Sequence, residues 1–71
     1  MPNNSDVLHH KIKAARAHAK MTQQQLADLL DVSRPAVSLW ESNDPEVRNE
    51  PTRTRLRKLA IITGAPLHWL M

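Results

Sequence analysis

The stretch TQQQLADLLDVSRPAVSLWE, residues 22–41, sets two short helical patterns almost end to end. Thr22 with Gln25 three residues on fits a capping box, in which each side chain satisfies the other's orphan backbone N–H. Leu26, Leu29 and Leu30 form the apolar stripe of the helix that opens there. Asp31 and Val32 follow as a very short connection. Ser33 then reads as the N-cap of the next helix and puts Pro35 in its first turn. The N–H groups of a first turn have no intrahelical acceptor, so the one that proline lacks costs little. Proline also biases Arg34 away from the α region, which pins the point where the chain turns into the helix. Val37 and Trp40, three apart, give this helix a buried side. Arg34, Pro35, Ser38 and Leu39 are left facing outwards.

The flanking sequence extends the pattern. Leu8, Ile12, Ala15 and Ala19 fall on one stripe of a first helix. Ser5 or Asn4 is its cap, and Lys11, Lys13, Arg16 and Lys20 occupy its other faces. From Glu41 to Pro51 the chain is polar, holds two prolines and reads as a loop. Thr52 caps a fourth helix with the stripe Leu56, Leu59, Ala60 and Thr63, and Gly64 is placed as its C-terminal stop. Pro66 opens a short fifth helix, with Leu67 and Leu70 inward and Trp69 beside them. The expected fold class is all-α, a compact bundle of about five short helices, and residues 1–71 form one domain.

Composition agrees. A chain of 71 residues buries only about 60% of the surface that it exposes when unfolded, so packed helices or a partner must hold it together. With no cysteine there is no disulfide staple and no Cys-based metal site. One glycine and two aromatic residues argue against a β-rich fold. No apolar run approaches the roughly 20 residues of a membrane span, and the start MPNNSD has no charged region leading into an apolar stretch, so no signal peptide is visible. A cytoplasmic protein follows. The formal net charge of +3 permits a nucleic-acid partner without demanding one.

Two helices, 22–30 and 33–41, packed through Leu26, Leu30, Val37 and Trp40, read as a helix-turn-helix. The letters of residues 22–41 resemble the helix-turn-helix of the Cro and phage-repressor family of bacterial regulators, the lambda-repressor-like domain. IKAARAHAKM (12–21) is similar to that family's first helix, and LRKLAIITGAPLHWL (56–70) to its last two. Two features depart from the family pattern. Asp31 stands where glycine is frequent in the turn, though aspartate tolerates a left-handed conformation better than most residues. The loop 41–51 is longer than usual.

The resemblance implies a sequence-specific DNA-binding regulator, a repressor of phage or prophage type that sits on an operator as a homodimer. It would work in the cytoplasm of a bacterial or phage-infected cell, on the nucleoid. The third helix would enter the major groove. Arg34 would bond to guanine, Ser38 to a further base, and Pro35 or Leu39 would pack on a thymine methyl. Gln23, at the start of the second helix, would hold a phosphate with the help of that helix's partial positive charge. Ser33 is first a cap and second a phosphate contact. The cluster Arg53, Arg55, Arg57 and Lys58 is either a solvated face or a phosphate-binding one, with Arg53 or the loop residue Arg48 flanking the groove. Leu67, His68, Trp69 and Leu70 are the dimer candidates, with Trp69 open between core and interface. A longer repressor of which this is the N-terminal domain, and a complete Cro-like protein, both fit the chain.

No catalytic constellation is visible, so an enzyme, a small-molecule substrate and a cofactor are not expected. Asp28 and Glu41 read as isolated carboxylates on helix surfaces. His9, His10, His18 and His68 lack metal-binding spacing. A protein-interaction module of the antitoxin kind, with the same fold, is the alternative function.

Overall fold

Asp31 turns the chain between the second and third helices with φ 58° and ψ 45°, a left-handed conformation that few residues other than glycine adopt readily. In this computed structural model, residues 4–70 are described, with side chains from residue 8 onward. They form α1 (Asn4–His18), α2 (Gln23–Leu30), α3 (Arg34–Trp40), α4 (Arg53–Thr63) and α5 (Leu67–Leu70), with no strand among them. Which of Asn4 and Ser5 caps α1 lies outside the described side chains.

The punctuation of the helices follows their sequence. At the start of α2, Thr22 Oγ1 accepts from Gln25 N at 3.0 Å and Gln25 Oε1 accepts from Thr22 N at 2.8 Å, so the capping box is complete. Ser33 caps α3 by accepting from Ala36 N at 3.3 Å, with Pro35 in the first turn. Thr52 does the same for α4 through Arg55 N at 3.2 Å, and Gly64, at φ 79°, ends that helix. At the corner after α2, Val32 N donates to Ala27 O at 3.0 Å and so closes the last turn. The loop that follows α3 is tied locally: Asp44 Oδ1 accepts from Glu46 N at 2.9 Å.

The core unites Ile12 and Ala15 of α1, Leu26, Ala27 and Leu30 of α2, Val37 and Trp40 of α3, Leu56, Leu59 and Ala60 of α4, and Leu70 of α5. α2 packs chiefly on α3, while α4 touches α1, α2 and α5. Thr63, buried on the α4 stripe, satisfies its hydroxyl by donating to Leu59 O at 2.7 Å. Leu67 is only partly buried and Trp69 is exposed at the surface.

One expected stripe residue is misplaced. Leu29 is 55% exposed, and Ala27 is buried in its stead. At about 100° per residue, the inward face of α2 is centred between Leu26, Ala27 and Leu30, and Leu29 falls on the opposite flank of Leu26.

The left-handed corner gives a direct test. Asp31→Val, which puts a β-branched side chain at φ 58°, is expected to lower stability by about 1–2 kcal/mol in urea unfolding, whereas Asp31→Gly should not lower it.

Candidate nucleic-acid interface

α3 divides along its length. Val37 and Trp40 point into the core, and Ser33, Arg34, Pro35, Ser38 and Leu39 are exposed. Residues four apart lie on one face of a helix, so Arg34 with Ser38, and Pro35 with Leu39, form one outward strip of two polar and two apolar side chains. Such a strip offers both hydrogen-bonding groups and apolar contact.

Behind this strip lies a chain of polar contacts. Glu41, at the C-cap of α3, is buried. Arg16 of α1 donates to it twice, Nε to Oε2 at 2.7 Å and Nη2 to Oε1 at 3.0 Å, and its Nη1 donates to Met21 O at 2.8 Å. Gln23 Nε2 donates to the same Glu41 Oε1 at 3.2 Å, and Gln23 Oε1 accepts from Arg34 Nη1 at 3.3 Å. Each amide end of Gln23 therefore has one assignment. The carboxylate only accepts and must meet the NH₂; the guanidinium only donates and must meet the carbonyl. Arg34 and Gln23, expected at the interface separately, are in contact.

This overturns one sequence reading. Glu41 is not an isolated surface carboxylate: its side chain is 3% exposed, and that of its partner Arg16 is 15% exposed. The hydrogen bonds to Glu41 raise the pKa of Arg16 above the ordinary guanidinium value, burial works against them, and the Glu41 charge adds to them. A raised pKa of a cation stabilises the fold below its unfolded value and is lost only as the pH climbs through the folded one, so Arg16 stays charged throughout the neutral range. The missed signal was spacing: Arg16 follows Ile12 by four and Glu41 follows Val37 by four, which puts opposite charges in line with two buried stripes.

The remaining candidates separate. Arg53 is exposed at the first residue of α4. Its neighbours Arg55 and Lys58 line a shallow depression with Thr52, Leu30 and Asp31, which places basic groups beside the α2–α3 corner. Arg48 is drawn elsewhere. Its guanidinium Nη1 lies 2.8 Å from His9 Nδ1, and His9 is buried on α1 with its ring 4.0 Å from that of His10. A phosphate would compete with that contact for Arg48.

The dimer candidates divide as well. Leu70 is 3% exposed and belongs to the core, which removes it from any outer surface. His68 and Trp69 are exposed, and Lys11, off the apolar stripe of α1, donates to Trp69 O at 2.8 Å with Nζ 5.6 Å from the indole centroid. Among the described residues no group of three or more His, Cys, Asp or Glu is placed to hold a metal ion.

A family model described as Helix-turn-helix matches residues 12–70. The chain belongs to the Cro/C1-type, XRE-like helix-turn-helix family. It is a DNA-binding transcription regulator of the XRE type. No curated protein and no solved structure gives a significant match. The match spans all three partners of the buried chain, Arg16, Gln23 and Glu41, together with Arg34. Among the described residues no helix of this helix-turn-helix protein is long and apolar enough to cross a membrane.

The ion pair is open to a stability test. Arg16→Met leaves the Glu41 carboxylate buried without its main partner, and should cost roughly 3 kcal/mol or more. Replacing both, Arg16→Met with Glu41→Leu, should regain most of that loss in urea unfolding, because two apolar side chains need no charged partner.

Proposed function

We propose that residues 1–71 act as one DNA-binding domain and that the protein represses transcription in the manner of a phage or prophage repressor, sitting on an operator as a homodimer. The observation that carries the reading is the outward strip of α3, exposed on a helix whose other side is locked into the core. A major groove about 12 Å wide admits such a helix. Arg34 donates to O6 and N7 of a guanine, Ser38 bonds to a neighbouring base, and Pro35 and Leu39 pack on thymine methyls. Gln23, Ser33 and Arg53 hold phosphates on either side. A bound dimer blocks polymerase sterically, on the genome in a bacterial or phage-infected cell.

One short helix reads too few base pairs to find a site in a genome. Two related by a two-fold axis, about 34 Å apart, read enough. Supporting a second copy, Ile61 is 81% exposed on α4 and shares a groove with Leu67, Ala65 and Gly64, next to the exposed Trp69 and His68.

Salt titrations on a selected inverted repeat and on random DNA test this reading. Arg34→Ala should cost about 1–3 kcal/mol per half-site on the selected site and relax the preference at one base position. Arg53→Ala should weaken both DNAs about equally and lower the salt slope by about one unit per lost contact. Trp69→Ala should lower the cooperativity between half-sites. Tight binding of a monomer to one half-site, unchanged by Trp69→Ala, contradicts the dimer.

A further inference from the structure

We propose that the groove between α1 and the α4–α5 corner binds a small aromatic carboxylate, and that this ligand weakens the homodimer. The regulatory half rests on the homodimer reading above; the site itself does not. The groove holds about 540 Å³, within the roughly 300–1,000 Å³ of small-molecule sites. It is a recess because the residues that floor it are small. Ala14 lines it from α1, and Gly64 and Ala65 line it from the corner. A Cβ built on Gly64 would meet nothing within 4 Å, so the corner faces open space there. Trp69 supplies an aromatic wall.

The polar groups select the ligand. His18, the last residue of α1, and His68 of α5 both line the groove, and no acidic side chain does. An imidazole donates at least one N–H whether neutral or charged. A carboxylate has two oxygens and only accepts, so it matches two such donors. Lys11 adds a positive charge beside the wall, with Nζ 5.6 Å from the Trp69 ring centroid. A metal ion fits less well: two imidazoles fall short of the three or four protein ligands of a zinc site. An aromatic ring on the ligand gains stacking contact with the indole. The same His68 and Trp69 belong to the surface proposed for a second copy, so one pair of side chains serves two partners. A ligand that occupies them in the free protomer weakens the dimer by linkage, and with it the cooperative hold on DNA.

Proton–nitrogen NMR on the full chain, titrated with naphthalene-2-carboxylate, tests the site without DNA. Saturable shifts are expected at the amides of Ala14, Gly64 and Ala65 and at the Trp69 indole N–H. The uncharged naphthalene-2-carboxamide should bind about tenfold or more weakly, the worth of a hydrogen bond to a charged group. Replacing both histidines, His18→Ala with His68→Ala, should erase that difference. Ala14→Leu fills the groove from an exposed position and should abolish binding with the fold intact. Absence of saturable shifts, or equal binding of acid and amide, overturns the site. Shifts produced at the two histidines by zinc chloride, with none from the carboxylate, overturn the ligand class. On the inverted repeat, saturating carboxylate should lower the cooperativity between half-sites about as far as Trp69→Ala does. Unchanged cooperativity with the groove occupied overturns the regulatory half. Absence of cooperativity before any ligand is added overturns the homodimer reading instead, and the NMR titration still decides the site.

Discussion

The buried Arg16–Glu41 pair ties three helices together at one carboxylate. It joins the end of α1 to the end of α3, 25 residues away, and Gln23 at the start of α2 binds the same carboxylate. Taking two charges out of water is costly, and the cost is met only if the remaining polar atoms are matched. Here they are matched: among the described residues, no buried side-chain polar atom lacks a hydrogen-bond partner. A helix of seven residues is too short to persist in isolation. α3 is kept helical by Val37 and Trp40 in the core, by Ser33 at its start and by Glu41 at its end.

The same pins decide what α3 can present. Its inner side is committed to packing and its C-cap residue Glu41 to the ion pair, which leaves Arg34, Pro35, Ser38 and Leu39 exposed for another molecule. In the proposed function two of these bond to base edges and two meet thymine methyls. Stability and recognition therefore share atoms in this fold. A change at Glu41 reaches the outer surface through Gln23, although Glu41 is itself buried.

Local signals in the sequence carried most of the fold. The pairs Thr22 with Gln25, Ser33 before Pro35, and Gly64 after the α4 stripe each act within a few residues, and each appears in the structure where its chemistry puts it. Asp31 adopts the left-handed turn expected of it. What the sequence concealed was long-range. Arg16 and Glu41 each follow a buried stripe residue by four, but that spacing does not say that the two charges meet. Leu29 looks like core because it is apolar and near the stripe, but the buried face of α2 is centred between Leu26, Ala27 and Leu30 and leaves it exposed. Arg48 looks free in a polar loop, and only the fold brings His9 to it. The outward strip of α3 was legible because periodicity says which side is buried and leaves the rest exposed; the brace behind it was not.

The central claim, that the ion pair is an intact anchor in solution, is tested most directly by the Arg16 side-chain resonance. Its Nε–H donates to Glu41 Oε2 at 2.7 Å, within a site from which solvent is largely excluded. Proton–nitrogen NMR at neutral pH should show the Arg16 Nε–H as a resolved signal that exchanges with water much more slowly than those of Arg34 and Arg53, and Glu41→Gln should remove that protection. An Arg16 Nε–H that exchanges as fast as those of the exposed arginines would contradict the account.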